Sequence, residues 1–107
     1  LHMNHYQRTK NTPQFLTDFP GLIKDSAEWL GNKGIVSFGV EAGSPGTPGK
    51  NNFEVHLVCK NMKFTHMEGL INLDKLINKG RFQFRGFPLK IRGGTGSPIR
   101  AVAILND

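Results

Sequence analysis

Short helical windows interleaved with short strand-like runs predict an α/β fold, with a mixed β-sheet and two or three short helices. Three observations carry this. The stretch Asn51–Leu70, NNFEVHLVCKNMKFTHMEGL, passes from helical spacing to extended alternation. Arg81–Ile91 alternates Phe82 and Phe84 with Arg81, Gln83 and Arg85, as a half-buried strand requires. Thirteen Gly and six Pro demand many turns and leave room for few long helices.

The elements follow in order. Residues 1–10 read as an irregular N-terminal tail, in which His2-Met3 has the look of a vector remnant and Tyr6–Thr9 of a strand end. Residues 11–107 then form one partial domain, beginning with a two-proline loop over Asn11–Pro20. Lys24–Leu30 is the first helix, with Ile23, Ala27 and Leu30 on one face, Trp29 beside it, and Asp25 and Glu28 toward the positive end of the dipole. Gly31–Gly34 stops it. Ile35–Val40, IVSFGV, is a mostly buried strand, and Ala42–Lys50, AGSPGTPGK, is a loop. Asn51 with Glu54 has the form of a capping box opening a helix that runs to about Met62. Val55, Val58, Cys59 and Met62 make one apolar row on it, and Phe53, Leu57 and Lys60 another. Lys63–Glu68 is a strand, and Ile71–Asn78 a short helix or turn. Arg81–Ile91 changes apolar phase at Gly86, the pattern of a β-bulge. Gly93–Pro98 turns the chain into a closing strand, Ile99–Leu105.

Composition bounds the function. At 107 residues the chain is one domain at most, and 37% hydrophobic content with eight Phe fits a folded one. A single cysteine, Cys59, excludes an intrachain disulfide, and a place in the apolar row makes it an inert buried thiol. With no membrane span and no signal-type apolar run, a cytoplasmic location is expected. Formal charge is +6, and Lys75, Lys79, Arg81, Arg85, Lys90, Arg92 and Arg100 follow one another without an acidic residue. Such a face suits an anionic partner. The strand alternation of RFQFRGF argues against nucleic acid, because its aromatics are needed as the apolar face. The loop AGSPGTPGK lacks the G-K-[ST] ending of a phosphate-binding loop.

His56 and Glu68 are the candidate chemical pair. One stands a turn inside a helix and the other at a strand end, so the two can converge as metal ligands or an acid/base pair must. Taken alone, a His beside an apolar face is more often a structural residue, and a lone Glu is usually solvated. His66 shares the alternation phase of Phe64 and Glu68, which brings it near Glu68.

Five segments, in order, carry a resemblance. They are DFPGL with the helix ending EWL, GIVSFGVEAGS, FEVHL, MEGL, and FPLKIRGGTGSPIRAVAIL, with RTKNT ahead of them. Together they resemble the C-terminal part of the cyclase / kynurenine formamidase family of metal-dependent hydrolases. The resemblance implies part of a swivelling β/β/α fold and hydrolysis of a small N-formyl or cyclic amide substrate. By resemblance His56 and Glu68 match two ligands of a zinc or manganese site. Glu41 stands where the family has Asp, Ser44 matches its Ser, and Gly94 and Ser97 lie in the turn expected beside the site.

The chain also departs from the family. The ligand motif H-x-G-T-H-x-D-x-P of the family's N-terminal half is absent. Ile23 replaces a capping Ser, and His66 an apolar residue. Two ligands fall short of the three or four that zinc needs. The chain is therefore expected to be one portion of an amide hydrolase, inactive alone, or else a non-catalytic assembly module using its basic face. Strand edges left open imply a homo-oligomer or a complex with the missing N-terminal half.

Overall fold

The computed structural model describes residues 1–105 and forms two compact units, Leu1–Asp74 and a second beginning at Lys75. The α/β class holds. Its strands divide between a parallel two-stranded sheet in the first unit and an antiparallel one in the second, so the expected mixed sheet is two small sheets.

The first unit contains helices α1 (His5–Thr9), α2 (Gln14–Thr17), α3 (Lys24–Asn32) and α4 (Lys50–Met62), and strands β1 (Ser37–Gly39) and β2 (Thr65–Met67). β1 and β2 pair in parallel, Ser37 with Thr65, Phe38 with His66 and Gly39 with Met67. The chain between them crosses over through α4, as any parallel pair must be connected. α3 packs on α4 around Ala27, Val55, Val58, Cys59 and Phe64, with Leu22, Ile35 and Phe38 at the margin. Val55, Val58 and Cys59 lie in the apolar row expected of α4. The other row, with Phe53 at 65% exposed, faces out. Burial pushes the Cys59 thiol up from its ordinary value, in keeping with an inert side chain.

Several boundaries differ from the sequence reading, each for a physical reason. α4 begins at Lys50 behind Gly49, whose φ of 90° suits only glycine. The Asn51–Glu54 capping box does not form. Asn51 Nδ2 is instead drawn to Leu22 O and Thr47 Oγ1, both at 2.7 Å, and Glu54 pairs with Lys50. Lys63, read as strand, ends α4 in the left-handed region at φ 60°, with Phe64 N–H bonding Cys59 O. β1 is short, and Val36 before it is largely exposed. The segment read as a tail forms α1, and the two-proline loop contains the single turn of α2.

That N-terminal segment is tied down by Glu41. Its carboxylate is 1% exposed and accepts the backbone N–H groups of Met3 and, at 3.1 Å, Tyr6. His5, equally buried, stacks on Phe15 and contacts its carbonyl at 3.0 Å.

The second unit pairs β3 (Phe82–Arg85) with β4 (Val102–Leu105), and a 3-10 turn, Leu73–Leu76, falls at the division between units. The expected long strand stops at Arg85, so no bulge forms at Gly86. Pro88 has no N–H for a ladder, and Leu89 N–H is taken by Ser97 Oγ at 2.7 Å. Among the described residues of this unit none is buried.

Burial raises the Glu41 pKa, but the N–H donors of Met3, Tyr6 and His5 outweigh it and hold the group below its ordinary 4.5. Its stabilisation is therefore present above that value and lost as pH falls through the lower folded pKa. Glu41→Gln is expected to reduce stability at neutral pH by about 1–3 kcal/mol, because charge-assisted bonds become neutral ones. It should also flatten the acid limb of a denaturation midpoint plotted against pH. An unchanged acid limb would show that Glu41 does not anchor this segment.

Candidate metal centre

The loop after β1 does not behave as a plain connector. Glu41, Ala42, Ser44, Pro45 and Gly46 are all buried, so their backbone groups need partners inside the protein. Leu22 and Gly46 form an isolated parallel bridge, with Leu22 N–H to Pro45 O at 2.8 Å and Thr47 N–H to Leu22 O at 3.3 Å. Asn52 Oδ1 accepts Gly46 N–H at 3.0 Å. Beyond the strands, Val40 N–H bonds Met67 O, Leu70 N–H bonds Val40 O, and Gly69 N–H bonds Ala42 O. These bonds bring Ser44, two residues past Ala42, beside Glu68, one residue before Gly69.

In a parallel pair the carboxyl ends of both strands lie at one edge, where ligands of open α/β sheets bind. Here that edge collects four side chains from three elements. Ser44 Oγ donates to Glu68 Oε1 at 3.2 Å and lies 3.2 Å from His56 Nε2. His56 Nε2 lies 4.0 Å from Glu68 Oε1, inside the roughly 5 Å that shared coordination requires. His66 Nε2 lies 3.2 Å from the same oxygen. The two imidazoles meet edge to face at 4.8 Å between centroids. One ligand atom from each of His56, His66 and Glu68 falls within 4.8 Å of the others.

The donor set suits a metal. Two ligands at 2.0–2.1 Å from a tetrahedral ion lie roughly 3.4 Å apart, and the two distances to Glu68, 3.2 and 4.0 Å, bracket that value. Two imidazoles and a carboxylate match a catalytic zinc set that leaves a position open. His66 is held below its ordinary pKa by burial and by the neighbouring His56, against the opposing pull of Glu68. Neutral imidazole is the ligating form. The side chains of His56 and Glu68 are 40% and 39% exposed, so the cluster is open to solvent. A groove of about 330 Å³ between α3 and α4, lined by Lys24, Glu28, Glu54 and Leu57, lies off this edge.

Glu41, Gly94 and Ser97 are the remaining sequence candidates. Glu41 directs its carboxylate to Met3 and Tyr6. Gly94 and Ser97 belong to the second unit, where Gly94 N–H bonds Ile91 O and Ser97 Oγ bonds Leu89 N and Pro98 O. His66, expected near Glu68 from its alternation phase, lies beside the pair.

The chain is 38% identical over 91 residues to the isatin hydrolase of Roseibium aggregatum, covering 80% of this chain and 34% of that protein. It is 29% identical over 86 residues to the kynurenine formamidase of Sphingopyxis alaskensis, covering 80% of this chain and 40% of that one. These matches support the resemblance to cyclase- and formamidase-type hydrolases. The chain spans little more than a third of the length of these curated relatives. No family model matches the chain, and no solved structure matches it. No helix among the described residues is long and apolar enough to cross a membrane.

The clamp on the Ser44 loop can be tested at Gly21. A Cβ there would stand 2.3 Å from Gly46 C and 2.6 Å from Thr47 N, both backbone atoms that cannot swing aside. Gly21→Ala is expected to cost about 1–3 kcal/mol by overpacking. A chemical denaturation midpoint equal to that of the parent would show that the loop is not held here.

Proposed function

We propose that this chain supplies part of the active centre of a metal-dependent amide hydrolase acting on a small N-formyl or cyclic amide. The observation that carries this is the convergence of His56, His66, Glu68 and Ser44 at the carboxyl edge of the parallel strands. The names of the two relatives, an isatin hydrolase and a kynurenine formamidase, supply the substrate class.

His56 and Glu68 would contribute two ligands to a zinc or manganese ion. Such an ion polarises a carbonyl and brings bound water to a usable pKa. The chain's own residues set the surroundings. Ser44 bonds Glu68 Oε1 and lies against His56 Nε2, so the two side chains already face one point. Glu68 has a second oxygen with which to accept a proton from a nucleophile, the ordinary role of a carboxylate beside such a centre.

An open surface neither encloses a substrate nor excludes water, and catalysis of this kind depends on both. We therefore propose that the chain works together with further protein. That protein is either a second copy or a segment equivalent to the part of the relatives that this chain does not span. β1 and β2 form a two-stranded sheet by themselves, and parallel sheets are ordinarily covered on both faces.

The expected outcome for the isolated chain with zinc or manganese is hydrolysis of isatin or N-formylkynurenine at the buffer rate. Sedimentation at micromolar concentration should show self-association through its open edges. Turnover by a monomer, abolished in His56→Ala, would show that this chain builds a sufficient site unaided. Binding of metal and substrate without hydrolysis in any assembled form would instead support a non-catalytic module.

A further inference from the structure

The hydrolase reading assigns only His56 and Glu68 as ligands. His66 offers a third donor, and its imidazole faces that pair as well as packing on Phe38. Its register partner is Phe38, whose ring lies 5.9 Å away, and Phe38 in turn packs on Phe64. An apolar side chain would extend that row without a polar atom to satisfy. Instead the imidazole turns Nε2 to 3.2 Å from Glu68 Oε1, and its ring meets that of His56. Its side chain is 18% exposed, the least of the three.

We infer that His66 is a metal ligand, so that this chain carries a complete three-donor His–His–Glu site and selects zinc over manganese. The inference deepens the hydrolase reading and rests on its metal. Three protein ligands with one open position are what a catalytic zinc ion takes, whereas His56 and Glu68 alone offer two. The second imidazole also sets the preference. Imidazole nitrogen suits zinc, while manganese favours carboxylate, carbonyl and water oxygen. With His66 included, nitrogen outnumbers oxygen among the donors. The site needs no long-range assembly, because its three ligands come from the crossover helix α4 and from β2 and the residue that follows it.

The experiment is calorimetric titration of the 107-residue chain with zinc alone and with manganese alone, for the parent, His66→Phe and His66→Asn. Phe fits the apolar row beside Phe38. Asn keeps a polar group within reach of Glu68 but offers no imidazole. Circular dichroism establishes that each variant is folded. The expected result is one zinc per parent chain, bound more tightly than manganese. Zinc affinity should fall at least about tenfold in both variants, the scale at which even residues behind the ligands act. The difference between zinc and manganese should shrink with it.

Unchanged zinc affinity in either folded variant would overturn the inference, as would a parent chain that binds no zinc. Because the readout is binding, the two readings can fail separately. A chain that holds zinc through His66 but hydrolyses no amide in any assembly would overturn the hydrolase reading alone. Zinc affinity indifferent to His66, with hydrolysis intact, would overturn only the third ligand.

Discussion

The parallel pairing of β1 with β2 is the constraint on which the rest of the first unit depends. Two parallel strands require a crossover, and here the crossover is the Ser44 loop followed by α4. Because both strands run the same way, the residues that leave β1 and those that leave β2 emerge at one edge. The helix between them presents His56 to that same edge. Three short pieces of chain thus deliver Ser44, His56, His66 and Glu68 to one place without any long element. The pairing is only three residues long, so other interactions must hold it. The packing of α3 on α4 around Ala27 and Val55 and the hydrogen-bonded clamp from Leu22 to Gly46 meet that need.

Much of this was legible in the sequence. The helical spacing of Val55, Val58 and Cys59 identified the buried face of α4, and a helical His with a strand-end Glu identified the converging pair. What misled was competition among polar side chains. Asn51 has the local form of a helix cap, yet its amide is taken by Leu22 O, far away in sequence, while Pro48-Gly49 sets the start of the helix. Glu41 lies in a segment that resembles the edge of a site. Its carboxylate is claimed by backbone donors of the N-terminal segment, whose polar sequence has no periodicity to announce a helix. In Arg81–Ile91 the alternation was real, but a ladder needs N–H donors as well as alternating side chains, and Pro88 ends the supply.

The second unit raises a different physical question. Phe82 opposes Leu105 and Phe84 opposes Ala103 on one face of the ribbon, with Phe87, Leu89 and Ile91 following. Phe87 is 75% exposed. A two-stranded ribbon with no buried residue is marginal in water. Its apolar side chains are the composition of a covered strand, and its arginines and lysines disfavour like-charged contact. The relatives are more than twice as long as the segment matched here.

The most direct test of the central claim is anomalous diffraction at the zinc edge from crystals of the chain grown with zinc. A single strong peak about 2.0–2.2 Å from His56 Nε2, His66 Nε2 and a Glu68 carboxylate oxygen is the expected result. A peak held by other residues, or one at His56 and Glu68 with the His66 imidazole turned away, would contradict it.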